Sequence, residues 1–227
     1  MTTEALTRIW PAAGLRVRAG DLELRWIDDT LLVELAELAG RGVHAESTMP
    51  FAFPWTRGSA TQVAHRVLDY QWRNRSALGP DRLVLELGVL WNGRPVGIQG
   101  ASGSDWSVLR EVETGSWLGR EFQGRGIGAR MRAMILHLFF EGLDAENVTS
   151  AAYLDNPASN AVSRKTGYEQ DGIVRVAREG QAAMQHRYRM TRERWAAVRE
   201  ANAALVGAPI EMSGVAPVAE HLRSDRA

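Results

Sequence analysis

Three alternating glycines, Gly124, Gly126 and Gly128, stand directly before a strongly helical stretch of this 227-residue sequence. Glycine is a poor helix former and loses much conformational freedom on folding, so a cluster at a helix start needs a physical reason. One reason is close approach of the backbone to an anion, because free N–H groups and the positive end of the helix dipole meet there. A flexible turn is the alternative, and the rest of the chain has to decide.

The composition excludes several classes of protein. Lys plus Arg and Asp plus Glu number 27 each, which gives no general attraction to nucleic acid or to an acidic membrane. The absence of cysteine excludes disulfides, thiolate metal sites and a cysteine nucleophile. The first residues lack the apolar core of a signal peptide, and the most apolar run, 133–140, is too short to cross a bilayer. We therefore expect a cytoplasmic protein without nucleic-acid or membrane partners.

Strand-like and helix-like patterns alternate along the chain. Alternation of apolar and polar residues predicts strands or hairpins at 15–28, 82–102, 108–119, 147–154, 172–177 and 182–190. Helical spacing occurs at 29–40, 60–77, 127–143, 157–166 and 191–205. Asp29 or Thr30 is the expected cap of the first helix, and Asn156 that of the fourth. The strand at 147–154 should run parallel to the strand before the glycines, because such connections are normally right-handed crossovers.

The pattern predicts one domain, since no repeat or linker divides it. Residues 1–14 form an N-terminal extension, and the domain occupies 15–205. From residue 206 to residue 227 there is no periodicity, which predicts a mobile C-terminal tail.

The glycines also fit the loose dinucleotide-binding pattern, through Gly124-x-Gly126-x-x-Ala129. That pattern requires an opening strand–helix–strand unit and an acidic residue about 20 positions on. Here several antiparallel strands come first, and the next strand ends at Asp155, well beyond that distance. The dinucleotide interpretation therefore fails.

The order of elements and the run from Gln123 to Gly128 resemble the GNAT superfamily of N-acyltransferases. The stretch DNPASNAVSRKTGY is similar to that superfamily's second signature, in which Asn156 begins a helix near the cofactor. VETGSWLG and NPASNAV resemble the ribosomal-protein N-terminal acetyltransferase branch. MPFAFPWTR, GSWLG, DNPASNAVSR and VAREG are also similar to a mycobacterial GNAT protein described as a succinyltransferase. The resemblance covers roughly residues 15–195.

The resemblance implies a single GNAT-type domain of the α/β (α+β) class. Its central sheet is mixed, mostly antiparallel, splayed between its two middle strands and flanked by helices. The implied enzyme is an N-acyltransferase that moves an acetyl or succinyl group from acyl-CoA to a primary amine, by direct attack in a ternary complex. The acceptor would be a small molecule or a protein N-terminus, and the enzyme would be a homodimer or higher homo-oligomer.

The resemblance places acyl-CoA, as acetyl-CoA or succinyl-CoA, against the glycine loop and the helix that Asn156 begins. The implied cofactor-binding residues are Trp117, Leu118, Gln123, Gly124, Arg125, Gly126, Ile127, Gly128, Asn156, Ser159 and Ser163. The glycines would let backbone N–H groups reach the pyrophosphate, and the N–H of Leu118 would face the thioester oxygen. For Trp117 a packing role is the alternative, because most aromatic side chains belong to cores.

The resemblance also implies catalytic residues. Glu113 aligns with an acidic position of the ribosomal-protein branch and is the candidate base, acting directly or through water. Glu111 is a rival on the same face, and an exposed strand carboxylate is the alternative for Glu113. Many GNAT enzymes carry a proton-donating tyrosine where this chain has Ser163, which puts the usual acid in doubt. The branch implies Ser159 in that role, unless its hydroxyl bonds its own backbone.

The acceptor wall of family members corresponds here to Phe51, Phe53 and Trp55, and Arg57 would meet a succinyl carboxylate. A proline-aromatic loop that closes the edge of the core is the alternative. The five histidines show no metal spacing, so we assign no metal. A function of another class stays open: a non-catalytic CoA-sensing or interaction module that kept the cofactor loop and lost the acid.

Overall fold

The computed structural model describes residues 3–223, which form nine strands and eight α-helices. The strands are β1 Arg16–Ala19, β2 Leu22–Trp26, β3 Arg82–Trp91, β4 Arg94–Ser104, β5 Glu111–Leu118, β6 Asn147–Tyr153, β7 Glu169–Arg178, β8 Gln181–Thr191 and β9 Glu211–Ser213. The helices are α1 Thr3–Ile9, α2 Asp29–Arg41, α3 Ala60–Asn74, α4 Trp106–Leu109, α5 Ile127–His137, α6 Pro157–Lys165, α7 Arg192–Val206 and α8 Val215–Leu222.

The strands join one sheet, in the order β7-β8-β6-β5-β4-β3-β2-β1-β9. Neighbouring strands are antiparallel except for β5 and β6, which run parallel. These two strands pair only over 111–113 and 147–149 and then separate. The predicted mixed, mostly antiparallel sheet with a splay between inner strands is confirmed.

Helices cover both faces of the sheet. Gly88 of β3 lies against Leu31 and Leu35 of α2, which packs beside α3 on that face. On the other face, the side chain of Gln99 in β4 contacts Arg132 of α5, a helix buried on almost all sides. The sheet therefore lies between two helical layers, and their apolar residues form one core.

Short-range signals set the helix starts. Asp28 caps α2, since its Oδ1 accepts a hydrogen bond from the N–H of Leu31 at 2.8 Å, so the expected cap one or two residues later is wrong. Asn156 caps α6 as expected, because its Oδ1 accepts from the N–H of Ser159 at 3.1 Å. This cap sets the position of the first turn of α6.

The tail predicted from residue 206 is wrong for the part that the structure describes. β9 pairs with β1, and α8 follows it and buries Val218 and Leu222 almost completely. A strand of three residues is too short to show an alternation, so no periodicity reveals it beforehand. Ala12 of the predicted N-terminal extension is also fully buried, in a 3-10 turn that α8 contacts. Residues 1–2 and 224–227 of these two predictions lie outside the described residues.

Candidate active site

The separation of β5 from β6 opens a cavity of 1040 Å³. Residues 113–118 of β5 form one wall, and the glycine loop, the first turn of α6, the segment 43–57 and the β7–β8 turn enclose the rest. The predicted site residues that line it are Phe51, Arg57, Glu113, Trp117, Leu118, Gln123, Gly124, Gly126, Gly128, Asn156 and Ser159. The chain thus brings most of the predicted residues to one place.

The glycines of the loop have two different structural roles. Gly124 and Gly126 have φ angles of +74° and +80°, in the left-handed region that favours glycine. The φ of Gly128 lies outside that region, and a Cβ there would meet Val162 Cγ2 at 3.6 Å, an ordinary contact distance. The backbone therefore tolerates a side chain at Gly128, and the missing side chain leaves room in the cavity.

The N-terminus of α5 adjoins the cavity, since Gly126 and Gly128 both line it. Within the described chain no side chain caps this helix, so its first-turn N–H groups are left for water or an anion. The side chain of Ile127 is 1% exposed and packs in the core, and Arg125 lies over the ring of Trp91 at 5.7 Å. Neither residue lines the cavity, and their role in binding the cofactor stays a prediction.

Gln123 connects two segments of the site. Its Nε2 donates to the carbonyl oxygen of Val43 at 2.6 Å and to that of Leu118 at 2.9 Å. The side chain, predicted to bind the cofactor, is therefore occupied by two backbone carbonyls. It connects the segment at Val43, which precedes the aromatic residues 51–55, to the end of β5, and so holds the wall of the cavity in place.

Ser159 and Ser163 lie one helical turn apart on the same face of α6 and differ in depth. Ser159 is half-buried and lines the cavity, and no group among the described residues hydrogen-bonds to its hydroxyl. Ser163 is fully buried, does not line the cavity, and has no hydrogen-bond partner for Oγ. The prediction that Ser163 binds the cofactor is therefore wrong for this structure, because its hydroxyl points into the core.

Glu113 lines the cavity and forms an ion pair with Arg187 of β8, with Nη2 and Oε2 2.9 Å apart. The pair crosses β6, which lies between the two strands. Glu111, the rival candidate, does not line the cavity. The structure therefore brings Glu113, and not Glu111, to the site.

The aromatic residues of the loop 51–57 differ in whether they line the cavity. The ring of Trp55 packs between those of Phe51 and Trp117, with centroids 4.9 and 5.8 Å apart, and does not itself line the cavity. Phe53 is 80% exposed and also lies outside it. Of the three aromatic residues predicted to form the acceptor wall, only Phe51 lines the cavity. Trp117 both packs and lines the cavity, so its two predicted roles are compatible.

Two ion pairs join elements around the cavity. Nε and Nη2 of Arg57 donate to the two carboxylate oxygens of Glu179, at 2.8 and 3.0 Å, and Arg178 pairs with Asp155 in the same bidentate way at 2.8 and 2.7 Å. The hydrogen bonds from Arg57 hold the pKa of the Glu179 carboxyl below its ordinary value. Sequence reasoning missed Asp155, Arg178 and Glu179 as site residues, because no local pattern marks pairs that are 23 and 122 residues apart.

Arg132 is a further residue that the sequence did not suggest for the site. It is 3% exposed, lines the cavity from α5, and donates from Nη1 to Ser150 Oγ at 3.0 Å and from Nη2 to Ser116 Oγ at 3.2 Å. A charged residue inside an otherwise apolar helical stripe was the available signal.

Within residues 3–223, no helix is long and apolar enough to cross a membrane. The same range contains no group of three or more His, Asp or Glu side chains placed to hold a metal ion.

Comparison with known proteins relates the chain to a family. The family model described as "Acetyltransferase (GNAT) domain" matches residues 21–169. A Bacillus subtilis (strain 168) protein named "Putative ribosomal N-acetyltransferase YdaF" is 31% identical over 104 residues, which make up 46% of this chain and 55% of that protein. The chain thus spans about half the length of this relative.

Solved structures share the fold at low sequence identity. RimL, a ribosomal L7/L12 alpha-N-protein acetyltransferase in complex with coenzyme A, has a TM-score of 0.61 and 19% identity, over 75% of this chain and 94% of its own. The microcin C7 self immunity acetyltransferase MccE, in complex with acetyl-CoA and AMP, has a TM-score of 0.58 and 16% identity, over 75% of this chain and 92% of its own. Because the family model matches well over half of the chain, this protein belongs to the GNAT acetyltransferase family.

Proposed function

We propose that this chain is an N-acyltransferase that moves an acyl group from acyl-CoA to a primary amine in a ternary complex. The main support for this proposal is that the gap between β5 and β6 is continuous with the uncapped N-terminus of α5. An extended thioester fits such a gap, with its phosphates on the loop N–H groups and its acyl end between the strands. The loop residues Gly124, Gly126 and Gly128 and the α6 residues Asn156 and Ser159 would surround it.

The N–H of Leu118 is the proposed donor to the thioester oxygen. Gly119 N–H donates to Val96 O, at the β4 side of the strand end, and consecutive residues of a strand direct their N–H groups to opposite sides. The N–H of Leu118 is therefore directed into the gap, on the side where its own carbonyl meets Gln123. A fixed N–H there stabilises the negative charge that develops on the thioester oxygen during attack.

Glu113 is the proposed acceptor of the amine proton. Arg187 holds Oε2 of this carboxylate at the cavity wall, which leaves Oε1 to accept a proton directly or through water. An α-amine has an ordinary pKa of about 7.7–8.0, so part of it is already neutral near pH 7 and a weak base is enough. Ser159 is the proposed proton donor to the departing thiolate, since it lines the cavity and no described residue hydrogen-bonds to its hydroxyl.

The acyl group and the acceptor follow from the chemistry of the cavity. The family description supports an acetyl group, and a succinyl group would require a cation to meet its carboxylate. Arg57, expected in that role, already has its guanidinium taken up by Glu179. The proposed acceptor is the α-amine of a peptide or of a small molecule, which would reach the thioester along a path beside Phe51. The relatives named as ribosomal-protein acetyltransferases favour a peptide.

Thermal unfolding and turnover test this proposal together. CoA should raise the unfolding temperature more than NAD does, because the loop offers N–H groups to phosphates without an acidic partner for a ribose. Release of CoA thiol from acetyl-CoA and succinyl-CoA can be followed with a thiol reagent free of protein background, since the chain has no cysteine. A peptide with a free N-terminus should react, and the same peptide with a blocked N-terminus should not. Stronger stabilisation by NAD would contradict the proposal.

A non-catalytic CoA-binding module is the second candidate. One observation favours it: the position of the family's usual proton donor is Ser163, whose hydroxyl is buried in the core. Tight binding of CoA without turnover of either thioester, over a panel of amines, would support this function instead.

A further inference from the structure

Arg132 is a buried cation without a carboxylate partner. Within residues 3–223, no Asp or Glu forms an ion pair with it, and its partners are the hydroxyls of Ser116, Ser150 and Tyr168 and, more distantly at 3.5 Å, Gln99 Oε1. The other arginines that line the cavity, Arg57 and Arg178, each hold a carboxylate. Buried charges in proteins are normally paired, because an ion loses its hydration when it leaves water and hydroxyl partners compensate only in part.

The guanidinium stands across the narrow end of the gap. Ser116 belongs to β5 and Ser150 to β6, so Arg132 touches both strands where they separate. Beyond it the gap ends where Thr114 Oγ1 donates to Thr149 O at 3.0 Å, with the hydroxyl of Tyr168 also 3.0 Å from Thr114. The blind end is therefore polar and positively charged, which is a poor environment for the methyl group of an acetyl chain.

The spacing along β5 gives the length of chain that would reach this end. A ligand held by the loop enters past Leu118 and meets Ser116 two residues deeper, about 7 Å along the strand. The fourth carbon of an extended chain lies about 4 Å from its first, and a hydrogen bond adds about 3 Å. With the thioester oxygen at the N–H of Leu118, a four-carbon acyl chain places its terminal group against Arg132.

We propose that Arg132 binds a terminal carboxylate of the acyl chain, so that the preferred donor is a dicarboxylic acyl thioester of about four carbons, such as succinyl-CoA. This inference rests on the proposed acyltransferase function. It replaces Arg57 as the cation that meets the acyl carboxylate. The transfer step is unchanged: the amine nitrogen bonds to the thioester carbon, the C–S bond breaks, and the carboxylate stays bound to the guanidinium.

Binding of three ligands to the whole chain, measured by calorimetry, tests the proposal. Succinyl-CoA and butyryl-CoA have acyl chains of equal length and differ in the carboxylate, and CoA itself reports the site without an acyl group. The wild-type chain should bind succinyl-CoA about 10- to 100-fold more tightly than butyryl-CoA, the range typical of hydrogen bonds to a charged group. Arg132→Met should lose this preference and bind CoA as before. It should also unfold at an equal or higher temperature, since an unpaired buried charge is removed.

Arg130→Met is the matched control. Arg130 lies on the same helix, outside the cavity, and pairs with Asp21, so this variant should keep the preference for succinyl-CoA. Equal wild-type affinities for succinyl-CoA and butyryl-CoA would overturn the inference, a comparison that needs no variant to fold. A preference that survives in Arg132→Met would overturn it too. Failure of CoA itself to bind would contradict the proposed function, which is a different result.

Discussion

Replacement of Gln123 tests whether this residue binds the cofactor or positions the cavity wall. In Gln123→Ala, the carbonyls of Val43 and Leu118 lose a shared donor at 2.6 and 2.9 Å. Each hydrogen bond contributes about 0.5–1.5 kcal/mol, so the free energy of unfolding should fall by about 1–3 kcal/mol. For a chain of this length that lowers the unfolding temperature by roughly 2–12 °C. Gln123→Glu should be worse, because a carboxylate would then face two carbonyl oxygens.

Differential scanning calorimetry without ligand, followed by CoA titration, separates the two roles. If Gln123 positions the wall, stability without ligand and CoA affinity fall together. Gln181→Ala is the control, since Gln181 lines the same cavity from an exposed position at the start of β8, and it should leave the unfolding temperature unchanged. An unchanged unfolding temperature in Gln123→Ala, with weaker CoA binding, would refute our reasoning and make Gln123 a direct ligand.

Three further predictions concern single side chains. Ser159→Ala should slow turnover by roughly tens-fold with CoA affinity nearly unchanged, because its donor acts on charge that develops late, whereas Ser163→Ala should leave steady-state turnover unaffected. Gly128→Val should abolish the thermal shift caused by CoA while the circular dichroism spectrum stays native, since the backbone there accepts a side chain; retained CoA binding would count against the loop site. Burial beneath α3 raises the pKa of the Glu86 carboxyl to about 7, so the folded state holds a proton that the unfolded state loses near pH 4.5. The contribution of this group to stability is complete below pH 4.5 and is lost as the pH rises to about 7. Measured by urea, the free energy of unfolding of wild type should fall by about 2–3 kcal/mol relative to that of Glu86→Gln over this interval. Equal pH dependence of the two proteins would contradict the prediction.

The elements that sequence alone predicts are those governed by short-range signals. The cap at Asn156 and the glycines before α5 each act within a few residues, and the structure has both. The splay between β5 and β6 came from the family resemblance and is confirmed, although no local pattern along either strand indicates where pairing stops.

The features that escape prediction depend on side chains brought together from distant parts of the chain. Glu113 meets Arg187 across β6, and this pairing requires the register of three strands. The depth at which each turn of α6 packs decides that Ser163 is buried while Ser159, one turn earlier on the same face, lines the cavity, and the local sequence gives little indication of that depth. The sequence likewise shows an arginine at position 132 without showing that no acidic residue approaches it.

The early separation of β5 from β6 creates an edge strand in the interior of the sheet. Edge strands on a protein surface present unpaired N–H and C=O groups to other chains, which is a hazard for aggregation. From Thr114 to Leu118, β5 presents such an edge to the cavity and not to the surface of the protein. A ligand with amide groups of its own would pair there as an additional strand, in the manner of β-strand addition. A ligand paired in this way would be, in structural terms, a removable tenth strand of the sheet.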